Sequence, residues 1–500
     1  MFPLTKTGPD RITPQSHPPA MTARVKRVIR SAQACVTPYQ NDFEALHETP
    51  MTQIPKRRIA VIGSGISGLA AAWRLSQTDN VTLLEAADRL GGHANTAQIE
   101  LEGQSFGVDT GFIVYNPRNY PNFVSLMDQL GVETAESDMS FAASIGNGGF
   151  EYSSNPSGLF AQRRNLVRPR MWRMIADILR LNQHARDSRS TDTSLTLDEF
   201  LKEKGYSRAF REDHILPMCA AIWSSPVDQM RGFPAGSFFR FFLNHGLLQL
   251  TDRPQWRTIA GGSQAYVEAL AEAIDGKIRV GTPVHGLQRS DQGVTVSLAD
   301  GTREVYDDVV LACHSDQALK LVSDADHEER TLLSAIRYRP NTAVLHTDTR
   351  LMPRRRSAWA SWNYLERRHG DTNEISLTYW MNRLQPLPVK TPVFVTLNPQ
   401  TEPDPGTVLR VDSYEHPIFD QAAISAQSAI GQIQGRGGVW YCGAWLGSGF
   451  HEDGLQSGLI VADSLGATSR PWSHSDMNAR IAWPGHTTPA TSDALPIAAE

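Results

Sequence analysis

Apolar residues come in two rhythms along this chain. Ile59-Ala60-Val61-Ile62 and Val81-Thr82-Leu83-Leu84 are short continuous runs, the pattern of strands covered on both faces, and a helical pattern lies between them. Further on, Val294-Thr295-Val296-Ser297-Leu298 alternates with period two, and Val309-Val310-Leu311-Ala312 is another buried run. The pattern predicts helices over Met127 to Gly131 and most of 159–257, and strands over 336–349, 373–381 and 391–398, where β-branched residues concentrate. No apolar run reaches the roughly eighteen residues that a membrane-spanning helix needs. Neither internal repeats nor long low-complexity runs appear.

The residues between the first two runs turn a buried sheet into a nucleotide site. Gly63 permits a tight turn, Gly65 lets the backbone approach a pyrophosphate, and Gly68 lets the helix pack on the strand. The free N–H groups of the first helical turn, around Ser64, Ile66 and Ser67, face the negative charge. Glu85 ends the second run 22 residues after Gly63, close to the spacing of about 20 at which a carboxylate receives ribose hydroxyls. Its charge disfavours a 2′-phosphate. A mere packing turn would also need glycines, but would not need strand, helix, second strand and acid in register.

Composition adds limits. A chain of 500 residues, 40% hydrophobic, is long enough for two or more packed domains, and a formal net charge of −5 gives no reason to expect nucleic acid. Cys35, Cys219, Cys313 and Cys442 show neither C-x-x-C nor metal spacing, which argues against a disulfide framework and a metal site and fits a reducing cytoplasm. Residues 1–54 are proline-rich, lack the apolar core of a secretory signal, and read as disordered or as an upstream-extended start. The chain after Arg470 reads as a disordered tail.

Asp88-Arg89-Leu90-Gly91-Gly92-His93 resembles the segment that follows the ribose acid in the flavin amine oxidase and phytoene desaturase superfamily. There it tracks the pyrophosphate towards the flavin. Trp440-Tyr441-Cys442-Gly443-Ala444-Trp445 and Gly449-Phe450-His451-Glu452-Asp453-Gly454-Leu455 resemble the C-terminal flavin motif of that superfamily, and Gly281-Thr282-Pro283-Val284 resembles the strand that contacts the adenine. A closer likeness covers Val108-Asp109-Thr110-Gly111-Phe112, Pro340-Asn341, and Trp380-Met381-Asn382-Arg383. It is to a bacterial branch of FAD-dependent oxidoreductases associated with cyclopropane and methylated fatty acid synthesis.

The resemblance implies an α/β, glutathione-reductase-like Rossmann domain holding FAD, built discontinuously from 55–135, 258–318 and 436–468. A mixed α+β substrate domain would come from 136–257 and 319–435, with a tail over 469–500. It implies FAD contacts from Gly63, Ser64, Gly65, Ile66, Ser67, Gly68, Glu85, Ala86, Arg89, Gly91, Gly92, His93, Thr110, Gly111, Val284, Gly443, Asp453, Gly454 and Leu455. Cys442 beside the flavin motif raises covalent attachment, but a small buried cysteine is the simpler reading, so the expectation is non-covalent FAD.

The implied chemistry is hydride transfer from an unsaturated or methyl-branched fatty acyl chain, with a lipid methyltransferase as the associated partner. Alternatives are an amine oxidase and a non-catalytic FAD-binding partner of that methyltransferase. The strand matched to the amine oxidases' lysine-bearing strand has no lysine, and Phe450 stands where tyrosine is frequent, which turns the reading towards an apolar substrate. His346 and His451 are the acid–base candidates, and the cluster His451-Glu452-Asp453 fits a base, a flavin ligand or a helix N-cap alike. Asp109, Tyr115 and Asn382 are further candidates near the flavin path.

Phe233, Phe238, Phe239, Phe241 and Phe242 read as helical core or as the lining of an acyl tunnel. Arg163, Arg164, Arg168, Arg170, Arg173 and Arg180 interleave with apolar residues, and Arg354-Arg355-Arg356 precede Trp359. Both are patterns of solvated faces and of peripheral contact with an anionic membrane, here the inner face of the cytoplasmic membrane.

Overall fold

A computed structural model describes residues 56–187, 195–223, 226–248, 253–369, 372–475 and 477–483. The two continuous apolar runs form strands β1 (Arg58–Ile62) and β2 (Asn80–Leu84), joined by helix α1 (Ile66–Leu75). β1 pairs in parallel with β2 and with Asp308–Leu311, while Lys277–Arg279 and Val439–Tyr441 form the two edges of this five-stranded parallel sheet. Ile59, Ala60, Val61 and Leu83 are fully buried, as expected of strands covered on both faces. α1 covers one face, and the helix His451–Ser464 packs along it, where Gly458 has no room for a side chain because a Cβ would overlap the Ser67 carbonyl.

A seven-stranded mixed sheet runs in the order Val408–Ile418, Arg337–His346, Phe394–Leu397, Thr372–Trp380, Trp362–His369, Phe141–Ile145, Phe150–Ser153. A second apolar core lies between this sheet and a helical layer. Helix α2 (Pro121–Leu130) packs against His451–Ser464, and α3 (Pro169–Asp187) belongs to the helical layer. In α3 the inward stripe is Met171, Met174 and Leu181, while Trp172, Arg173 and Leu179 face out.

The stretch after Arg470 departs from the disordered tail expected of it. Residues 470–483 make no regular element, yet Ile481 and Trp483 are buried and the Trp472 ring stacks on Trp73 at 6.0 Å. Pattern reading missed this because the segment has no period; its apolar side chains are held one by one by distant elements. Residues 1–55 and 484–500 lie outside the described residues. Among the described residues no helix is long and apolar enough to cross a membrane, and no group of histidine, cysteine and carboxylate side chains could hold a metal.

Candidate functional site

The site begins where β1 turns into α1. Gly63 has φ +103, and its N–H donates to the Leu84 carbonyl at 2.8 Å, tying the turn to β2. A Cβ at Gly68 would overlap the Gly63 carbonyl oxygen, so this glycine sets the helix-to-strand distance. Gly65 differs: it is the N-cap residue of α1 with φ −62 and ψ 173, and a Cβ there would meet nothing within 4 Å. The space before the helix is therefore open. No side chain caps α1 and its first turn carries no acid, leaving the N–H groups there available to an anion.

That space belongs to a cavity of about 780 Å3. Of the residues expected to bind the nucleotide, Gly63, Ser64, Gly65, Ile66, Ser67, Glu85, Ala86, Gly91, Gly92, His93, Thr110, Gly111, Val284 and Gly443 line it, and so does His451. Glu85 accepts from the Ser64 amide at 2.8 Å, the Ser64 hydroxyl at 2.5 Å and the Ala87 amide at 2.9 Å, so its carboxylate is held at the end of β2. Gly92 approaches Gly65 so closely that a Cβ on it would lie 3.2 Å from the Gly65 Cα. Ser64 thereby receives the Gly91 amide on both its carbonyl and its hydroxyl, at 3.1 and 3.2 Å.

Five expected residues do not line the cavity. Arg89 donates to the carbonyls of Gly92, Ala94 and Leu90, so its guanidinium holds the diglycine turn together from behind. Gly68 sits under α1 as described. Gly454 presses on Ile66 and Leu455 is fully buried, so both serve the contact between α1 and the C-terminal helix. Asp453 was expected to meet the cofactor; instead its carboxylate accepts from the Ser448 and Phe450 amides at 3.1 and 2.8 Å and pairs with Arg480 at 2.9 Å. It caps its own helix, and its charge is answered from the tail. Glu452 likewise caps α2, accepting from the Asn122 and Phe123 amides at 3.1 and 3.0 Å.

His346 corrects the expectation of a catalytic role. Its side chain points inward from its strand, but into the sheet's core: Nε2 pairs with the Thr396 hydroxyl at 2.7 Å, and Nδ1 accepts the Asp348 amide at 3.1 Å. Burial pushes its pKa down to about 4, with Asp348 opposing, so the ring is neutral at neutral pH. Asp109 is also structural, receiving Ser263 and Gln385, and burial raises it to about 6. Tyr115 bridges to Arg257 through the backbone, and Asn382 ties its loop to Val389, Thr391 and Val393.

His451 stays at the cavity. Its ring lies on Phe112 with centroids 3.6 Å apart and 8° between planes, and Nε2 meets the Tyr266 hydroxyl at 2.8 Å. Burial pushes it down to about 3. Pattern reading missed a second group of rings on the cavity wall: His93 lies 5.4 Å from His416, 6.3 Å from His314 and 5.1 Å from Tyr414. His93 Nε2 is buried without a partner, and its ring is held neutral first by burial and then by the neighbouring histidines. Burial lowers His416 to about 4; its Nδ1 meets the Asn341 amide nitrogen at 3.1 Å.

An open helix N-terminus, a carboxylate at the end of β2, and a buried imidazole nitrogen lacking a partner are donors and acceptors that fit FAD. Cys442 is fully buried, its thiol pushed up by burial, and it does not line the cavity. Cys313 does line it, with burial raising the thiol to about 12, far from a reactive thiolate. Neither cysteine is a thiolate that would bond covalently to the flavin.

Residues 66–355, more than half of the chain, match the family model described as flavin containing amine oxidoreductase. An L-amino-acid oxidase of Bothrops moojeni is 21% identical over 333 residues, covering 63% of this chain; the chain spans 64% of that relative's length. Among solved structures, a putative protoporphyrinogen oxidase from Exiguobacterium superposes with a TM-score of 0.60 at 18% identity, covering 82% of this chain and 99% of its own. A CLA-producing fatty acid isomerase from P. acnes gives 0.59 at 18% identity, with the same coverage of both chains, 82% and 99%. At such identities the superpositions speak for the fold alone, and the family rests on the sequence match. The chain belongs to the flavin containing amine oxidoreductase family.

Proposed function

We propose that the chain is an FAD-dependent oxidoreductase that dehydrogenates or isomerises an unsaturated or methyl-branched fatty acyl chain. The observation that carries this reading is a second cavity of about 490 Å3, walled by Ile175, Ile178, Leu181, Phe210, Met218 and Phe242. It meets the nucleotide cavity at Ile222 and Trp362, which belong to both walls. Phe242, Leu247 and Leu248 from the aromatic stretch line this second space, whereas Phe238 and Phe239 pack in the core. An extended apolar substrate would lie along this wall with one end at the junction with the nucleotide cavity.

Among the described residues no arginine lines the nucleotide cavity, and its one lysine, Lys320, is paired with Asp316 at 3.0 Å, whereas the second cavity carries Asp138 and Arg253 on its wall. An α-amino acid and the headgroup of an acyl substrate both need such charges, so the apolar wall, not charge, favours the acyl reading. The bound flavin supplies the hydride-accepting atom. For proton handling this chain offers His93, His314 and His416, none buried behind another residue; His451 already spends Nε2 on Tyr266.

The name of the fatty acid isomerase agrees with a lipid substrate, while the L-amino-acid oxidases keep amine oxidation as the competing reading. The two-domain division by chain segment, the bacterial lipid branch, a cytoplasmic location and a methyltransferase partner belong to this proposal and rest on the sequence resemblance. Anaerobic titration of the holoprotein, followed through the flavin's visible absorption, tests it. Bleaching by unsaturated or methyl-branched phospholipid supports the acyl reading, and bleaching by amines alone replaces it with amine oxidation. No bleaching and no double-bond migration in the recovered lipid leaves an idle flavin-binding subunit and overturns the proposal.

A further inference from the structure

We propose that the face formed by residues 163–180 and 354–356 docks on the surface of an anionic phospholipid bilayer. The fold brings together two arginine clusters far apart in sequence: Arg164, Arg354 and Arg355 line one cleft over the turn Gly146–Gly149. Arg164 and Arg168 both donate to the Gly149 carbonyl, and the Arg354 stem lies against Gly148. Arg355 answers the buried Glu151 and Arg170 answers Asp213. Among the described residues, Arg163, Arg164, Arg168, Arg173, Arg354 and Arg356 pair with no carboxylate, a concentration of positive charge without internal neutralisation. Arg168 is lowered by burial and by the nearby Arg164 and Arg170, which an external anion would relieve.

Apolar exposure is concentrated on the same face. Eight large hydrophobic side chains are strongly exposed among the described residues, and four of them fall here: Leu166 at 49%, Val167 at 82%, Trp172 at 50% and Leu179 at 49%. The Trp172 indole N–H donates to the Leu166 carbonyl at 2.8 Å, which fixes the short helical turn Arg163–Val167 against α3. Apolar tips interleaved in sequence with unpaired arginines match a bilayer interface, where the tips enter the acyl boundary and the guanidinium groups meet phosphates.

The face also has a place in the reading above. Leu179 is exposed and lines the second cavity, so the docked face opens on the apolar path to the flavin. The purpose of docking rests on the acyl-substrate reading; the docking itself does not, and its test uses no turnover.

Purified holoprotein is floated with vesicles of phosphatidylcholine alone and of phosphatidylcholine with phosphatidylglycerol. The expected result is co-flotation with the anionic vesicles only, weakened by high salt. Neutralising Arg163, Arg173 and Arg354 together to glutamine should weaken binding about a hundredfold, at about fivefold per charge. Val167→Glu and Trp172→Ala should each weaken it about tenfold. All these residues are exposed, so flavin content should not change, and the melting temperature should hold in every variant except Trp172→Ala, which loses its bond to the Leu166 carbonyl. Absence of flotation with either vesicle overturns the proposal, as does binding that these variants leave intact. A concentration-dependent dimer that Val167→Glu dissociates, without vesicle binding, would assign the face to a second copy instead. Failure of flavin bleaching by lipid, with vesicle binding intact, would overturn the substrate reading and leave this one standing.

Discussion

Gly65 and Gly68 are three residues apart, yet the structure assigns them opposite consequences. Gly65→Val places a branched side chain into open space, since a Cβ there meets nothing within 4 Å and the backbone is already in a region valine adopts. Folding should change by about 1 kcal/mol at most, the usual cost of replacing a favoured N-cap residue by a disfavoured one. The side chain then occupies the room through which a pyrophosphate reaches the first turn of α1. Losing two hydrogen bonds to a charged group, each worth about 1.5–3 kcal/mol, removes about 3–6 kcal/mol of binding, a factor of roughly a hundred to ten thousand in Kd. Gly68→Ala forces a methyl group into the Gly63 carbonyl and should cost about 3 kcal/mol or more of apoprotein stability. The assay is FAD titration of the two apoproteins by flavin fluorescence quenching, beside urea unfolding of each without FAD. A Gly65→Val protein that binds FAD within a few-fold of the parent, or unfolds as easily as Gly68→Ala, would refute the placement of the pyrophosphate.

Three further outcomes follow from the same geometry. Arg480→Ala leaves Asp453 buried without its counter-charge and Glu452 without a nearby cation, and should cost about 3–5 kcal/mol in urea unfolding; a loss below about 1 kcal/mol would mean that the tail is not packed as described. His346→Ala should lose about 1–3 kcal/mol of stability by unpairing the Asp348 amide and leaving the Thr396 hydroxyl with Thr378 as its partner, while FAD retention and the rate of flavin reduction stay unchanged; slowed reduction would return His346 to the mechanism. His93, His214, His245, His314, His346, His416 and His451 all have lowered pKa values in the fold, so below about 6.5 the unfolded chain binds protons that the native chain refuses. Their stabilisation is complete above that pH and is lost as the pH falls towards 4 and 3. Asp109, raised to about 6, acts oppositely by taking its proton first in the native state. The urea midpoint should therefore fall steeply from pH 6.5 to 4.5, at about 1.4 kcal/mol per pH unit for each net proton, and a flat profile would contradict the burial of these rings.

The nucleotide half of the site was legible because its signals are local. Strand, turn and helix between Ile59 and Leu84 follow one another within reach of simple periodicity, and each glycine's task depends on its immediate neighbours. His346 shows where that reading stops. The likeness of its strand to the amine oxidases' lysine-bearing strand put His346 near the flavin, but a seven-stranded sheet has a cavity side and a core side, and that likeness does not say which side the ring faces. His314 and His416 were illegible for the complementary reason: they stand on separate elements and become a cluster with His93 only through long-range packing. Asp453 and Arg480 make the same point with charge. The aspartate sits in a motif, so the motif was credited with it, while its cation lies in a segment without pattern.

The strand order of the parallel sheet bears on how the protein is made. β1, at the centre, is translated early, but one neighbour comes from Asp308–Leu311 and the far edge from Val439–Tyr441. On the ribosome β1 therefore meets β2 at once, but its other parallel edge stays unpaired until Asp308–Leu311 emerges, and that strand in turn waits for Val439–Tyr441. Sheets closed over such sequence distances form slowly and leave apolar edges open to aggregation meanwhile. Yield of soluble protein should then depend on the rate of synthesis and on free FAD during expression more than on the stability of the finished fold.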